Sequence, residues 1–102
     1  MQTNYEGEII DKIHSIIEYN AKNPLKKIGV IINTAGYTHT SVSIADALEI
    51  LPTPCVEVHL SNIYARNDRA SSLISPKVDG VISGFGIQSY ELAIDYFIKL
   101  YN

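Results

Sequence analysis

The chain has 102 residues, 46% of them hydrophobic, with 8 Lys and Arg against 11 Asp and Glu for a formal charge of −3. That length supports a single core, and a domain of this size buries roughly two-thirds of the surface its unfolded chain exposes. Charges of both signs are interspersed and Lys26-Lys27 is the only basic pair, which excludes a nucleic-acid or anionic-membrane binder.

The opening M-Q-T-N-Y-E-G-E does not read as a signal peptide. Ile9, Ile10, Ile13, Ile16 and Ile17 then recur at helical spacing with charged residues between them, and Asn23-Pro24 marks the helix end, because a residue before proline is pushed out of the helical region. Ile28 to Ile32 is a short unbroken apolar run and reads as a buried strand. Thr40 or Ser41 caps a second helix carrying Val42, Ala45 and Leu48 on one side, and Pro52-x-Pro54 closes it. Cys55 to Leu60 reads as a second strand. Cys55, the only cysteine, has no partner for an intrachain disulfide and suits a small buried position. Val81-Ile82-Ser83 reads as a third strand, after the loop at Ser75-Pro76. Gly84-Phe85-Gly86 turns into a last helix with Leu92, Tyr96 and Leu100 on one face and Ala93, Phe97 and Ile98 beside them. No stretch reaches the ~20 apolar residues of a membrane span, so a reducing, cytoplasmic setting is expected.

The order α-β-α-β-α-β-α predicts right-handed crossovers and a parallel sheet with helices on both faces, a flavodoxin-like α/β domain over residues 1–102. Three parallel strands leave a bare sheet edge, and the chain looks shorter than its fold wants.

Ligands of open parallel sheets gather beyond the carboxyl ends of the strands. Three polar segments converge there: N-T-A-G-Y-T-H-T-S at 33–41, H-L-S-N at 59–62 and S-G-F-G at 83–86. The first holds an amide, an imidazole and several hydroxyls where a plain strand-to-helix turn needs one glycine and one cap. Glu57 and His59 lie two apart and share a strand face, with Val56, Val58 and Leu60 on the other. They form either a structural pair on a partly wet face or part of a site. His39 either satisfies backbone groups at a helix start or contacts a ligand, and Asn33 either shapes its turn or does the same. His14 reads as a bystander. G-F-G lacks the spacing of a dinucleotide fingerprint, the three histidines lack zinc-ligand spacing, and neither Ser41 nor Ser61 sits in a nucleophile elbow. The residues alone give a polar, histidine-containing cleft for a small anionic ligand.

A set of motifs carries a resemblance. N-Y-E-G-E-I-I-D at 4–11, I-I-N-T-A-G-Y-T-H-T-S at 31–41, D-A-L at 46–48, V-E-V-H-L-S-N-I-Y-A-R at 56–66 and G-F-G-I-x-x-Y at 84–90 are similar, in order and spacing, to the type II 3-dehydroquinate dehydratases. The resemblance implies removal of water from 3-dehydroquinate to give 3-dehydroshikimate, without metal or organic cofactor. A proton beside the ketone is abstracted, an enolate is stabilised, and the hydroxyl leaves with help from a general acid. It implies that His59 is that acid, that Glu57 orients it, and that Asn33 positions substrate and an ordered water. His39 would hydrogen-bond the substrate, the Leu60 and Ser61 backbone N–H groups would hold its carboxylate, and Asp46 would reach a neighbouring subunit's site. It also implies trimers that build a larger particle.

Departures from the family's pattern are equally specific. The family's first strand, ending in N-G-P-N-L-N, and its lid with an arginine and the tyrosine base have no counterpart, so no residue is assigned as the base. The stretch after Ala65-Arg66 is one residue short, leaving Arg69 as the candidate substrate-binding arginine, and Ala45 stands where the family usually has an arginine. The expectation is therefore a dehydratase of this family, with little activity from the short chain by itself. The alternative is an impaired remnant or small-molecule binding module.

Overall fold

The computed structural model describes residues 5–34, 41–62 and 74–102. Helix α1 (Glu6–Lys22) opens with Glu6 and Glu8 and closes with Lys22, charges that complement the helix dipole. It stops before Pro24, as expected, with the Asn23 N–H donating to the Tyr19 carbonyl at 2.9 Å. Strand β1 (Val30–Ile32) is shorter than the predicted 28–32. Its pairing begins where the Val30 N–H reaches the Pro54 carbonyl at 3.0 Å, while the Ile28 carbonyl is taken by the Tyr101 hydroxyl at 2.5 Å. Helix α2 (Val42–Glu49) is capped by Ser41, whose Oγ accepts the Ile44 N–H at 3.0 Å and itself donates to Glu6 Oε1 at 2.6 Å.

Strand β2 (Cys55–His59) is followed by a 3₁₀ turn (Ser75–Lys77) where the sequence predicted only loop, then by β3 (Gly80–Ser83) and α3 (Gln88–Leu100). The element order predicts a further helix between β2 and β3, and residues 63–73 of that stretch lie outside the described residues. The sheet order is β1-β2-β3, all parallel, with Ile32 opposite Glu57 and His59 opposite Ser83. Central β2 is buried along its whole length and the two outer strands are half-buried.

Two apolar clusters sandwich this sheet. Ile13 of α1, Ile44, Ala47 and Leu48 of α2, Cys55 and Ile74 fill one face, and Val56, Val58 and Ala93, with Ile31, Ile82, Tyr90 and Phe97 around them, fill the other. This is the expected flavodoxin-like arrangement, with helices on both faces of a parallel sheet.

The last helix turns a different side inward from the one its apolar spacing predicts. Its buried line runs Ser89–Ala93–Phe97, while Leu92, Tyr96 and Leu100 are exposed. A Cβ on Gly29 would come within 2.5 Å of the Phe97 ring, so the bare glycine is what allows the ring to lie against the start of β1. That close approach fixes the rotation of α3. No helix among the described residues is long and apolar enough to cross a membrane.

Candidate active site

Buried polar side chains concentrate at the carboxyl ends of the strands. Thr34 follows β1, Glu57 and His59 end β2, and Ser89 opens α3, each almost wholly removed from water. A buried polar group is costly unless it is partnered, so their gathering at one rim requires an explanation.

Alternation along β2 places Cys55, Glu57 and His59 on the face toward α1 and α2, since Cys55 belongs to that cluster and Val56 and Val58 to the opposite one. Glu57 is 0% exposed and His59 5%. Ser75 Oγ donates to Glu57 Oε1 at 2.5 Å, and His59 Nε2 stands 3.0 Å from Glu57 Oε2. That second contact is a close electrostatic approach rather than an aligned hydrogen bond, because both atoms lack a directed partner among the described residues. Two adjoining buried polar atoms with unused hydrogen-bonding capacity can engage a third group placed between them.

The backbone beneath His59 is held from the turn that begins α3. The Gly84 N–H donates to the His59 carbonyl at 3.1 Å, and Ser89 Oγ reaches the same carbonyl at 3.4 Å while accepting the Phe85 N–H at 3.2 Å. Gly84 has φ +96°, a backbone conformation that side chains with a Cβ resist, so glycine is required for this return. The Gly86 N–H donates to the Leu60 carbonyl at 2.8 Å and Ser83 Oγ to the Ser61 carbonyl at 3.0 Å, which fixes the segment carrying the predicted carboxylate-binding amides.

Asn33 leaves β1 at the same rim but toward the other face, its Nδ2 donating to the Tyr90 hydroxyl of α3 at 3.2 Å. Asn33, His59, Leu60 and Ser61 therefore follow or end neighbouring strands at one rim of the sheet, with the Asn33 amide and the His59 imidazole on opposite faces. Asp46 is exposed on α2, away from that helix's buried Ala45, Ala47 and Leu48. His39 and Arg69 lie outside the described residues. Among the described residues no cluster of three or more His, Cys, Asp or Glu has the arrangement to hold a metal ion.

Two contributors escaped the sequence reading, Ser75 and Tyr90. Ser75 looked like an ordinary loop residue before a proline. The available signal was indirect: a glutamate in the middle of an apolar strand needs a donor from somewhere.

With the geometry in place, likeness to known proteins can be weighed. A family model described as "Dehydroquinase class II" matches residues 1–98. The 3-dehydroquinate dehydratase of Caldicellulosiruptor saccharolyticus is 49% identical over 99 residues, covering 96% of this chain and 63% of that protein. The protein of the same name from Prochlorococcus marinus is 48% identical, covering 99% of this chain and 65% of its own length. A type II dehydroquinase structure from Propionibacterium acnes superposes with a TM-score of 0.83 at 39% identity, over 96% of this chain and 68% of that one. The chain thus spans less than two thirds of the curated relatives it matches. With its motifs, its parallel sheet and a match over almost its full length, the chain belongs to the class II dehydroquinase family.

Proposed function

We propose that the chain takes part in the type II dehydration of 3-dehydroquinate to 3-dehydroshikimate, a hydro-lyase reaction, with His59 as general acid. The observation that carries this reading is the buried pair at the end of β2, His59 Nε2 3.0 Å from the carboxylate of a fully buried Glu57. A group that protonates a departing hydroxyl must be held in a fixed place and orientation, and the adjoining carboxylate gives the ring a neighbour on one side. The unused capacity of Nε2 and Oε2 supports a substrate hydroxyl approaching at that point.

The other roles follow the family pattern. Asn33, steadied by Tyr90, holds substrate and an ordered water near the enolate oxygen. The Leu60 and Ser61 backbone N–H groups bind the substrate carboxylate, which needs donors more than a counter-charge. His39 and Arg69 complete the substrate contacts. Asp46, exposed on α2, serves a neighbouring subunit's site in a homo-oligomer of trimers that build a larger particle; the exposed apolar side of α3 and the half-buried outer strands support such assembly. The setting is cytoplasmic, consistent with a single unpaired thiol.

The test is conversion of 3-dehydroquinate, followed by the absorbance of the conjugated enone product. His59→Ala is expected to lower kcat by roughly 10²–10⁴-fold. No conversion by the unsubstituted chain, together with no heat of binding for 3-dehydroquinate, overturns the reading.

A further inference from the structure

We propose that Ser75 is a positioning residue for His59, acting through the carboxylate of Glu57; the kinetic part of this rests on the reading of His59 as the acid. Glu57 is without exposure, and a carboxylate taken out of water must be met by directed donors. Among the described residues Ser75 supplies that donor, its hydroxyl 2.5 Å from Oε1. With Oε1 held, the carboxylate cannot turn about its last side-chain bond, and Oε2 stays 3.0 Å from His59 Nε2. Without it, a buried oxygen is left unpaired, and the carboxylate is free to rotate away from the imidazole.

Ser75 is held as firmly as the group it holds. Ile74 before it is completely buried among the residues of α1, α2 and Cys55. Pro76 after it has a fixed φ, and the Lys77 N–H closes the turn on the Ile74 carbonyl at 2.8 Å. The hydroxyl therefore comes from a pinned turn 18 residues beyond Glu57, not from a wandering loop.

The other ionisable groups toward this face have their own engagements or stand apart. Cys55 lies two residues before Glu57 on β2. Asp79 accepts the Cys55 N–H at 2.7 Å, and Lys77 pairs with Glu49 of α2 at 3.2 Å. Asp46 of α2 is exposed, and Glu6 of α1 accepts from Ser41. None of these donates to Glu57.

The experiment records the His59 ring resonances by proton and nitrogen NMR at one fixed neutral pH, in the 102-residue chain and in Ser75→Ala, Ser75→Thr and Glu57→Gln, with the exposed His14 ring as the control that none of these substitutions touches. Ser75→Ala is expected to move the His59 ring nitrogen and proton resonances in the same direction as Glu57→Gln does, and Ser75→Thr to return them. With 3-dehydroquinate, Ser75→Ala lowers kcat roughly 10–100-fold with little change in KM. His59 resonances in Ser75→Ala that superimpose on those of the unsubstituted chain overturn the proposal, as do Glu57→Gln resonances that do not move. Should the alanine variant fail to fold, Ser75→Cys, close in volume but a weak donor, must move the His59 resonances the same way, and its failure to do so overturns the proposal equally. Lack of turnover in the unsubstituted chain counts against the dehydratase reading alone, since the NMR comparison needs no substrate.

Discussion

At Cys55 three effects act in one direction. Burial first, then the carboxylate of Asp79, then that of Glu57, push the thiol from 9.0 up to about 12. In the unfolded chain the same thiol ionises near its ordinary value, so folding favours the protonated form. Its contribution to stability is complete below about pH 9 and is lost as pH rises toward 12, at up to about 1.4 kcal/mol per unit. Urea unfolding at pH 8.5 and pH 10 is expected to show the unsubstituted chain losing about 1 kcal/mol more than Cys55→Ala across that interval. Equal losses would mean that the folded thiol ionises normally. The residue scale is also where the sequence was most and least informative. The two-residue spacing of Glu57 and His59 on one strand face is visible in the letters alone, because strand alternation is local. The role of Ser75 is not, because it exists only once a distant turn has returned against β2. His39 and Arg69 remain expectations of the resemblance.

At the scale of elements, β2 was readable because Cys55, Val56 and Val58 form an apolar, mostly β-branched stretch bounded by Pro54, with Glu57 and His59 alternating on one face. The rotation of α3 was not. Apolar residues occur on both flanks of that helix, and the line that goes inward begins with a serine and includes only one large side chain, so hydropathy alone passes over it. Packing decides, through Gly29 beneath the Phe97 ring and Ser89 on the His59 carbonyl. Gly29→Ala places a methyl within 2.5 Å of that ring and is expected to cost about 1–3 kcal/mol in thermal or urea unfolding. The cost should shrink when Phe97 is first replaced by alanine, and a penalty unchanged in that background would mean that the ring is not what the methyl meets. The length of β1 has a similar cause. Its apolar run extends back to Ile28, but pairing starts only at Val30, opposite Cys55, and the Ile28 carbonyl goes to Tyr101 instead.

For the molecule as a whole, β1 and β3 are the outer strands of the sheet among the described residues, and Leu92, Ile94, Tyr96, Ile98 and Leu100 are exposed on α3. If these surfaces meet in the proposed assembly, light scattering at neutral pH gives three times 11.3 kDa or a multiple of it, and Ile98→Lys shifts the distribution toward smaller species. A purely 11.3 kDa particle counts against assembly. The clasp between the two ends of the sheet domain bears on how this structure comes into being. Lys27 Nζ donates to the Tyr101 carbonyl at 3.1 Å and the Tyr101 hydroxyl to the Ile28 carbonyl, contacts that span 74 and 73 residues. During synthesis, β1 emerges from the ribosome long before its fastening does, so the nascent chain waits with that strand incompletely secured until α3 has been made. Chaperone contact with β1 should therefore fall once Tyr101 is free of the exit tunnel.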